Sequence, residues 1–168
     1  YVLVHAGIFP QWELTQAKEY ALEVTTQLQS ENFNELLKIM SGNMPNRWEQ
    51  AKDKQARKRF IINAFTRMRF LSSDGSLELT QKQDLQAAPN ELIPWYDFPN
   101  RKTIKPTILF GHWASLYNNW PLPRQDVVPL DSGCVWGNSL TAYSLDNNRY
   151  ISIVCHDNLR TIKNKKRF

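Results

Sequence analysis

Tyr1-Val2-Leu3-Val4-His5-Ala6-Gly7 and Thr107-Ile108-Leu109-Phe110-Gly111-His112-Trp113 repeat one arrangement, a short apolar run that stops at a histidine among small residues. An apolar run of this length bounded by small residues reads as a buried strand. A histidine at its end puts an imidazole at the edge of a sheet, where open sheets of α/β type gather ligands and metal ions. If the two strands lie side by side, His5 and His112 meet and form half of a metal site. Gly7 and Gly111 are then expected to let backbone approach a crowded cluster.

Working outward, Leu14, Ala17, Ala21, Val24 and Leu28 recur at helical spacing, with Thr15 the expected N-cap. Phe33, Leu36, Leu37 and Met40 form a second helical stripe, which Gly42 ends. From Phe60 the pattern turns from helix-like to strand-like. An Asp74-Gly75 turn between Met68 and Phe70 on one side and Leu77 and Leu79 on the other reads as a hairpin. Four prolines between Gln86 and Pro106, with Trp95, Tyr96 and Phe98 among them, predict an ordered loop packed by aromatics. Strands follow at Thr107 to Phe110, Val127 to Leu130, Ser139 to Leu145 and Arg149 to Val154, the last two joined by an Asp146-Asn147-Asn148 turn. Helices near the start and strands near the end give an α+β arrangement, with no internal repeat and a single domain over residues 1–168.

At 168 residues, 42% of them hydrophobic and 12% aromatic, the chain can build a core, so disorder is excluded. No apolar run approaches the roughly 20 residues of a membrane span, and no signal pattern is visible at the start. The formal charge of +5 comes largely from two patches, Lys52 to Arg59 and Arg160 to Arg167. Such patches attract phosphate, although a charged terminus is more often simply solvated. Cys134 and Cys155 have no metal-type spacing and make no disulfide framework. Cys134 reads as a small buried residue, and a reducing cytoplasm fits both.

Four longer stretches carry a family likeness: Val4-His5-Ala6-Gly7-Ile8-Phe9-Pro10-Gln11-Trp12, Asn63-Ala64-Phe65-Thr66-Arg67-Met68-Arg69-Phe70, Phe110-Gly111-His112-Trp113-Ala114-Ser115-Leu116 and Leu130-Asp131-Ser132-Gly133-Cys134-Val135-Trp136-Gly137. In these the chain resembles the bacterial symmetrical diadenosine tetraphosphate hydrolases, which are calcineurin-like metallophosphoesterases. The resemblance implies a pair of β-sheets flanked by helices. It also implies two divalent ions, manganese or cobalt, which activate a hydroxide that splits the central anhydride link to give two ADP. By the same likeness His5 and His112 are metal ligands. The substrates implied are dinucleoside polyphosphates and, by extension, nucleoside-tetraphosphate caps on RNA.

The family's earlier metal motifs, Asp-x-His, Gly-Asp and Gly-Asn-His, do not occur in this sequence. The chain is therefore expected to be the C-terminal portion of a longer enzyme, binding metal weakly and hydrolysing little alone, because tight binding needs three or more ligands. Arg67 and Arg69 are candidates for a catalytic phosphate clamp, since a guanidinium donates two parallel hydrogen bonds to phosphate oxygens. The residues leave open whether Arg67 lies on a helix or a strand; on a strand the two arginines would share a face. Lys58 and Arg59 could assist a polyphosphate, against the plainer reading of solvated surface. Asp131, after a strand, could reach the substrate or orient a ligating histidine, against the ordinary reading of a turn residue. Trp113 and Trp136 could stack on adenine, against core packing. His156 matches no metal motif.

No Gly-x-Gly-x-x-Gly, P-loop or Gly-x-Ser-x-Gly pattern is present. Two alternatives remain: a protein serine/threonine phosphatase with the same metal scheme, and a non-enzymatic basic module that holds RNA. The Thr66-Arg67-Met68-Arg69 block argues against the first, and the thin interleaving of aromatics with basic residues against the second. Oligomeric state is not legible.

Overall fold

A computed structural model of the chain describes residues 1–155. The two histidine-tipped runs are neighbours: β1 (Val2–Val4) pairs in parallel with β5 (Ile108–Phe110), Val4 opposite Phe110. β5 pairs in parallel with β6 (Val127–Pro129), giving a sheet of order β1-β5-β6 whose three carboxyl ends lie together. β5 and β6 are buried throughout, as the near-continuous apolar reading of a parallel sheet requires.

Three helices pack on one another beside β1. α1 (Leu14–Leu28) starts two residues earlier than Thr15 capping would place it. Glu13 caps it, with the Gln16 side chain accepting from the Glu13 backbone N–H at 2.9 Å, so the cap is a reciprocal box rather than a hydroxyl. α2 (Phe33–Ile39) is short and buries Leu36. α3 (Lys54–Arg67) is capped by Asp53, whose carboxylate accepts from the Gln55 and Ala56 N–H groups at 2.9 Å each. The expected change to strand at Phe60 does not occur there. Phe60, Ile61 and Ala64 are fully buried at helical spacing, and the helix runs on to Arg67.

Beyond α3 come the second sheet, order β3-β2-β4, from β2 (Phe70–Ser72), β3 (Leu77–Glu78) and β4 (Leu92–Pro94), with the Asp74-Gly75 turn where the sequence placed it. Trp95 and Tyr96 plug the proline-rich stretch into the core, as expected. The last sheet is the hairpin β7 (Ser139–Ser144) and β8 (Arg149–Val154), whose turn carries Asn148 at φ 50°. The molecule is α+β.

The core is strongly aromatic. Phe9, Trp12 and Phe60 are buried and meet edge to face at 5.0 to 6.0 Å, pairings that contribute about 0.5–1.5 kcal/mol each beyond area burial. Arg57 lies over the rings of Tyr20 and Trp48 and pairs with Glu23 at 2.9 Å. Arg59 donates to the Ile39 and Met44 carbonyls, and Lys58 reaches the Gln27 side chain. These three cations of the first basic patch hold helices together rather than stand free for phosphate. On the outer side of β1 no strand pairs among the described residues, and an apolar groove of about 490 Å³ opens between it and the helices, lined by Leu3, Val24, Leu36, Met40, Ile61 and Phe65. No helix among the described residues is long and apolar enough to cross a membrane.

Cys134 and Cys155 form a disulfide, Cα atoms 5.4 Å apart, where the sequence had been read as two reduced thiols. Their separation of 21 residues hid the contact. The hairpin brings Ser139 opposite Val154, and the Cys155 N–H reaches the Asn138 carbonyl at 2.7 Å, so the two ends of the segment close on each other. Cys134 is half-buried, not buried. His156 and the Arg160 to Arg167 tail lie outside the described residues.

Candidate functional site

The parallel pairing of β1 with β5 carries its register one step past the strands. The Gly111 N–H donates to the His5 carbonyl at 2.8 Å, and the Leu130 N–H to that of Phe110 at 2.7 Å. His5, Gly111-His112 and Asp131 therefore lie abreast at the carboxyl edge of one sheet. This is the position where ligands collect in parallel sheets. The two imidazole centroids are 5.1 Å apart with ring planes at 49°. His5 is exposed and His112 half-buried.

His112 has φ 67°, a left-handed conformation uncommon for a residue with a side chain. Such backbone persists where the surroundings over-determine it, and it concentrates at functional sites. Here the Trp113 N–H bonds back to Gly111 at 2.8 Å, and the Arg69 guanidinium donates to the His112 carbonyl at 3.1 Å. Burial first, then the Arg69 charge and the neighbouring His5, push the His112 imidazole down to about 4, against an opposing hydrogen bond with the Arg67 backbone. Its Nε2 is buried and has no hydrogen-bond partner among the described residues. A neutral ring with an unshared lone pair is thus held beside a second imidazole.

Arg67 and Arg69 do not share a face, because the first ends α3 and the second lies in the link to β2. Arg67 donates to the Gly42 carbonyl at 3.1 Å, Asn63 Oδ1 at 2.9 Å and Asn43 Oδ1 at 2.8 Å. Its guanidinium is committed to the loop after α2. Asn63, fully buried, completes that network by donating to Gly42 at 2.9 Å, a role no motif announced. Arg69 stays at the strand ends. Burial lowers the pKa of its guanidinium while the Asp131 charge opposes that shift. Asp131 accepts the Gly133 N–H at 3.1 Å, the turn role, while facing Arg69 electrostatically.

Trp113 is 2% exposed, packs on Phe70 at 4.6 Å and on Tyr96, and donates its indole N–H to the Gln83 carbonyl. It has no open face for a base and belongs to the core. Trp136 is the reverse, 65% exposed. Gly7 also departs from expectation: a Cβ there would lie 2.8 Å from Trp95 Cε2 and 3.0 Å from Met68 Cε, so its smallness serves the core beneath His5. At Gly111 a Cβ would meet the His5 carbonyl at 3.6 Å and Asp131 Cβ at 3.8 Å, ordinary contacts. Among the described residues no three His, Cys, Asp or Glu side chains converge on one point.

No family model matches the chain. It is similar to curated proteins named bis(5'-nucleosyl)-tetraphosphatase, symmetrical. The one from Cellvibrio japonicus is 46% identical over 155 residues, 92% of this chain and 57% of the relative. That from Azotobacter vinelandii is also 46% identical over 155 residues, 92% of this chain and 55% of the relative. That from Vibrio parahaemolyticus is 45% identical over 142 residues, 84% of this chain and 52% of the relative. The chain spans about half the length of the curated relatives it matches. With 46% identity over 92% of its length, the chain is a relative of the symmetrical bis(5'-nucleosyl)-tetraphosphatases over the half of their length that it matches.

Proposed function

We propose that this chain contributes the imidazole pair and a positioning arginine to a site that hydrolyses dinucleoside tetraphosphates symmetrically into two nucleoside diphosphates. The observation that carries the reading is the 5.1 Å approach of His5 and His112 at the ends of adjacent parallel strands, in a chain so closely related to proteins of that name. We further read the parallel sheet and the helices beside it as part of the β-sandwich of calcineurin-like metallophosphoesterases.

The residues fit a divalent cation, manganese or cobalt. His112 Nε2 is buried without a partner among the described residues, its ring is kept neutral by burial and by Arg69, and the His5 ring lies alongside. Imidazoles ligate only when neutral, and a ligating ring commonly has its other nitrogen held by a backbone carbonyl or carboxylate, the place the Arg67 backbone takes here. Bound at His5 and His112, such a cation would polarise a phosphoryl oxygen and lower the pKa of an attacking water. Two donors make a weak site, so these residues alone hydrolyse slowly.

In the reaction, oxygen from water bonds to one of the two central phosphorus atoms, and the bridging oxygen leaves with the other. Arg69 acts first as a positioning residue, holding the left-handed His112 backbone by its carbonyl. Its guanidinium, with the Asp131 charge opposing the effect of burial, is the group we assign to the phosphate. Arg67 acts at one remove, by fixing the loop at Gly42 and Asn43.

The test is a chimera in which this sequence replaces the segment it matches in the Cellvibrio japonicus relative. It should convert diadenosine tetraphosphate to ADP as the sole nucleotide product and leave a phosphoserine peptide intact. His112→Ala should lower the rate about 100-fold or more, the upper end of what even an indirect partner of a metal contributes. Release of ATP and AMP, or preference for the phosphopeptide, would overturn the proposal. Binding gives an independent readout: calorimetric titration of this chain with Mn²⁺ should show weak uptake that both His5→Ala and His112→Ala abolish.

A further inference from the structure

We propose that Trp136 is a binding platform for a nucleobase of the substrate, an aromatic face held rigidly beside the strand-end cluster. The claim rests on the reading of that cluster as a site for a dinucleoside tetraphosphate and adds the part that binds the base. Trp136 and its neighbour Val135 are 65% and 67% exposed, on a single 3₁₀ turn, Cys134–Trp136, that follows β6. Large exposed side chains are unremarkable when scattered singly. This one stands on a turn fixed from every side. Gly133 and Gly137 both adopt left-handed backbone, at φ 71° and 91°, and close the turn through Trp136 N–H to Gly133 and Gly137 N–H to Cys134, 2.9 Å each.

The base of the turn is tied down as firmly. Asp131 accepts the Gly133 N–H, the buried Ser132 hydroxyl donates to the Ser139 carbonyl at 2.6 Å, and the disulfide fixes Cys134 to the end of the hairpin. The turn also abuts the histidine segment: a Cβ built on Gly133 would lie 3.5 Å from Trp136 Cδ1 and 3.6 Å from Ala114 Cβ, and Ala114 is two residues beyond His112. Many constraints thus serve to present one flat indole to solvent next to the place assigned to phosphate. A rigid aromatic ring loses little conformational entropy on contact, and every nucleobase offers a π-face to it. The ligand chemistry is therefore a purine base joined through its sugar to the polyphosphate.

The experiment titrates this chain, in excess Mn²⁺, with diadenosine tetraphosphate and with inorganic tripolyphosphate, which has no base. Native protein should bind the dinucleotide more tightly than tripolyphosphate. Trp136→Leu should weaken dinucleotide binding about 5- to 150-fold, the range expected for one base stacked on one aromatic, and leave tripolyphosphate unchanged. Trp136→Phe, which keeps an aromatic face, should recover most of the loss. Equal dinucleotide affinity in native and Trp136→Leu protein overturns the proposal, as does a parallel loss for both probes, which marks a disturbed turn rather than a missing stack. A native chain that binds the dinucleotide but not tripolyphosphate refutes the phosphate-site reading and leaves the base contact standing. One that binds neither refutes both.

Discussion

Two glycines that flank the histidines alike in sequence should respond oppositely to alanine. At Gly7 the added methyl carbon would lie 2.8 Å and 3.0 Å from two carbons of the Trp95 indole and 3.0 Å from the Met68 methyl, where carbon atoms in contact prefer about 3.5–4.0 Å. The Met68 terminus can swing aside. The indole cannot, because Trp95 is fully buried with Phe110 edge-on at 5.3 Å and Tyr96 at 5.7 Å. Overpacking of this sort costs about 1–3 kcal/mol. In a chain of this length each kcal/mol lowers Tm by roughly 2–4 °C, so Gly7→Ala should melt about 2–12 °C below the native protein. At Gly111 the nearest neighbours of the new carbon are 3.6 Å and 3.8 Å away. Gly111→Ala should leave Tm unchanged or raise it slightly, by reducing the freedom of the unfolded chain. Thermal denaturation followed by circular dichroism at neutral pH distinguishes the two. An unshifted Gly7→Ala, or a Gly111→Ala that melts lower than Gly7→Ala, would refute the claim that the first glycine serves the core and the second does not.

Acid should reveal His112. Free imidazole takes a proton near pH 6.5, whereas the folded ring resists until about 4, so the unfolded state binds more protons between those values. Stability should fall as pH drops through that window and level off below it, and His112→Gln should flatten this part of the pH–Tm curve; an unchanged slope in the variant would show that another group is responsible. Reduction of the Cys134–Cys155 bridge, which closes a loop of 21 residues' separation, should destabilise by about 3 kcal/mol on a chain-entropy estimate and raise amide exchange in β7 and β8 before β1, β5 and β6. Uniform exchange across all sheets would contradict that order.

What the sequence made legible was local. Apolar runs ending in histidine, an Asp74-Gly75 turn and an asparagine-rich hairpin turn each encode their structure within a few residues, and each took the expected form. The misreadings came where distant residues decide. Nothing near Phe60 reveals that Trp12 and Trp48 wait to pack against it, so the pattern from Phe60 on reads as strand-like where the helix in fact continues to Arg67. Arg67 and Arg69 look equivalent in Thr66-Arg67-Met68-Arg69, yet Met68 leaves helical geometry with ψ 134° and sends them to different partners. The glycine beside His5 answers to Trp95, 88 positions on. The exposure of Trp136 and the burial of Trp113 depend on which element lies over each, and composition says nothing of that.

Among the described residues the outer flank of β1 has no partner strand, and that has its own consequence. Leu3 is 76% exposed there, and the strand's outward N–H and C=O groups form a template that any extended polypeptide can extend by one more rung. A newcomer aligned in parallel would end about 4.8 Å from His5, so whatever side chain it carried at its tip would be delivered to the imidazoles without any loop being built to reach them.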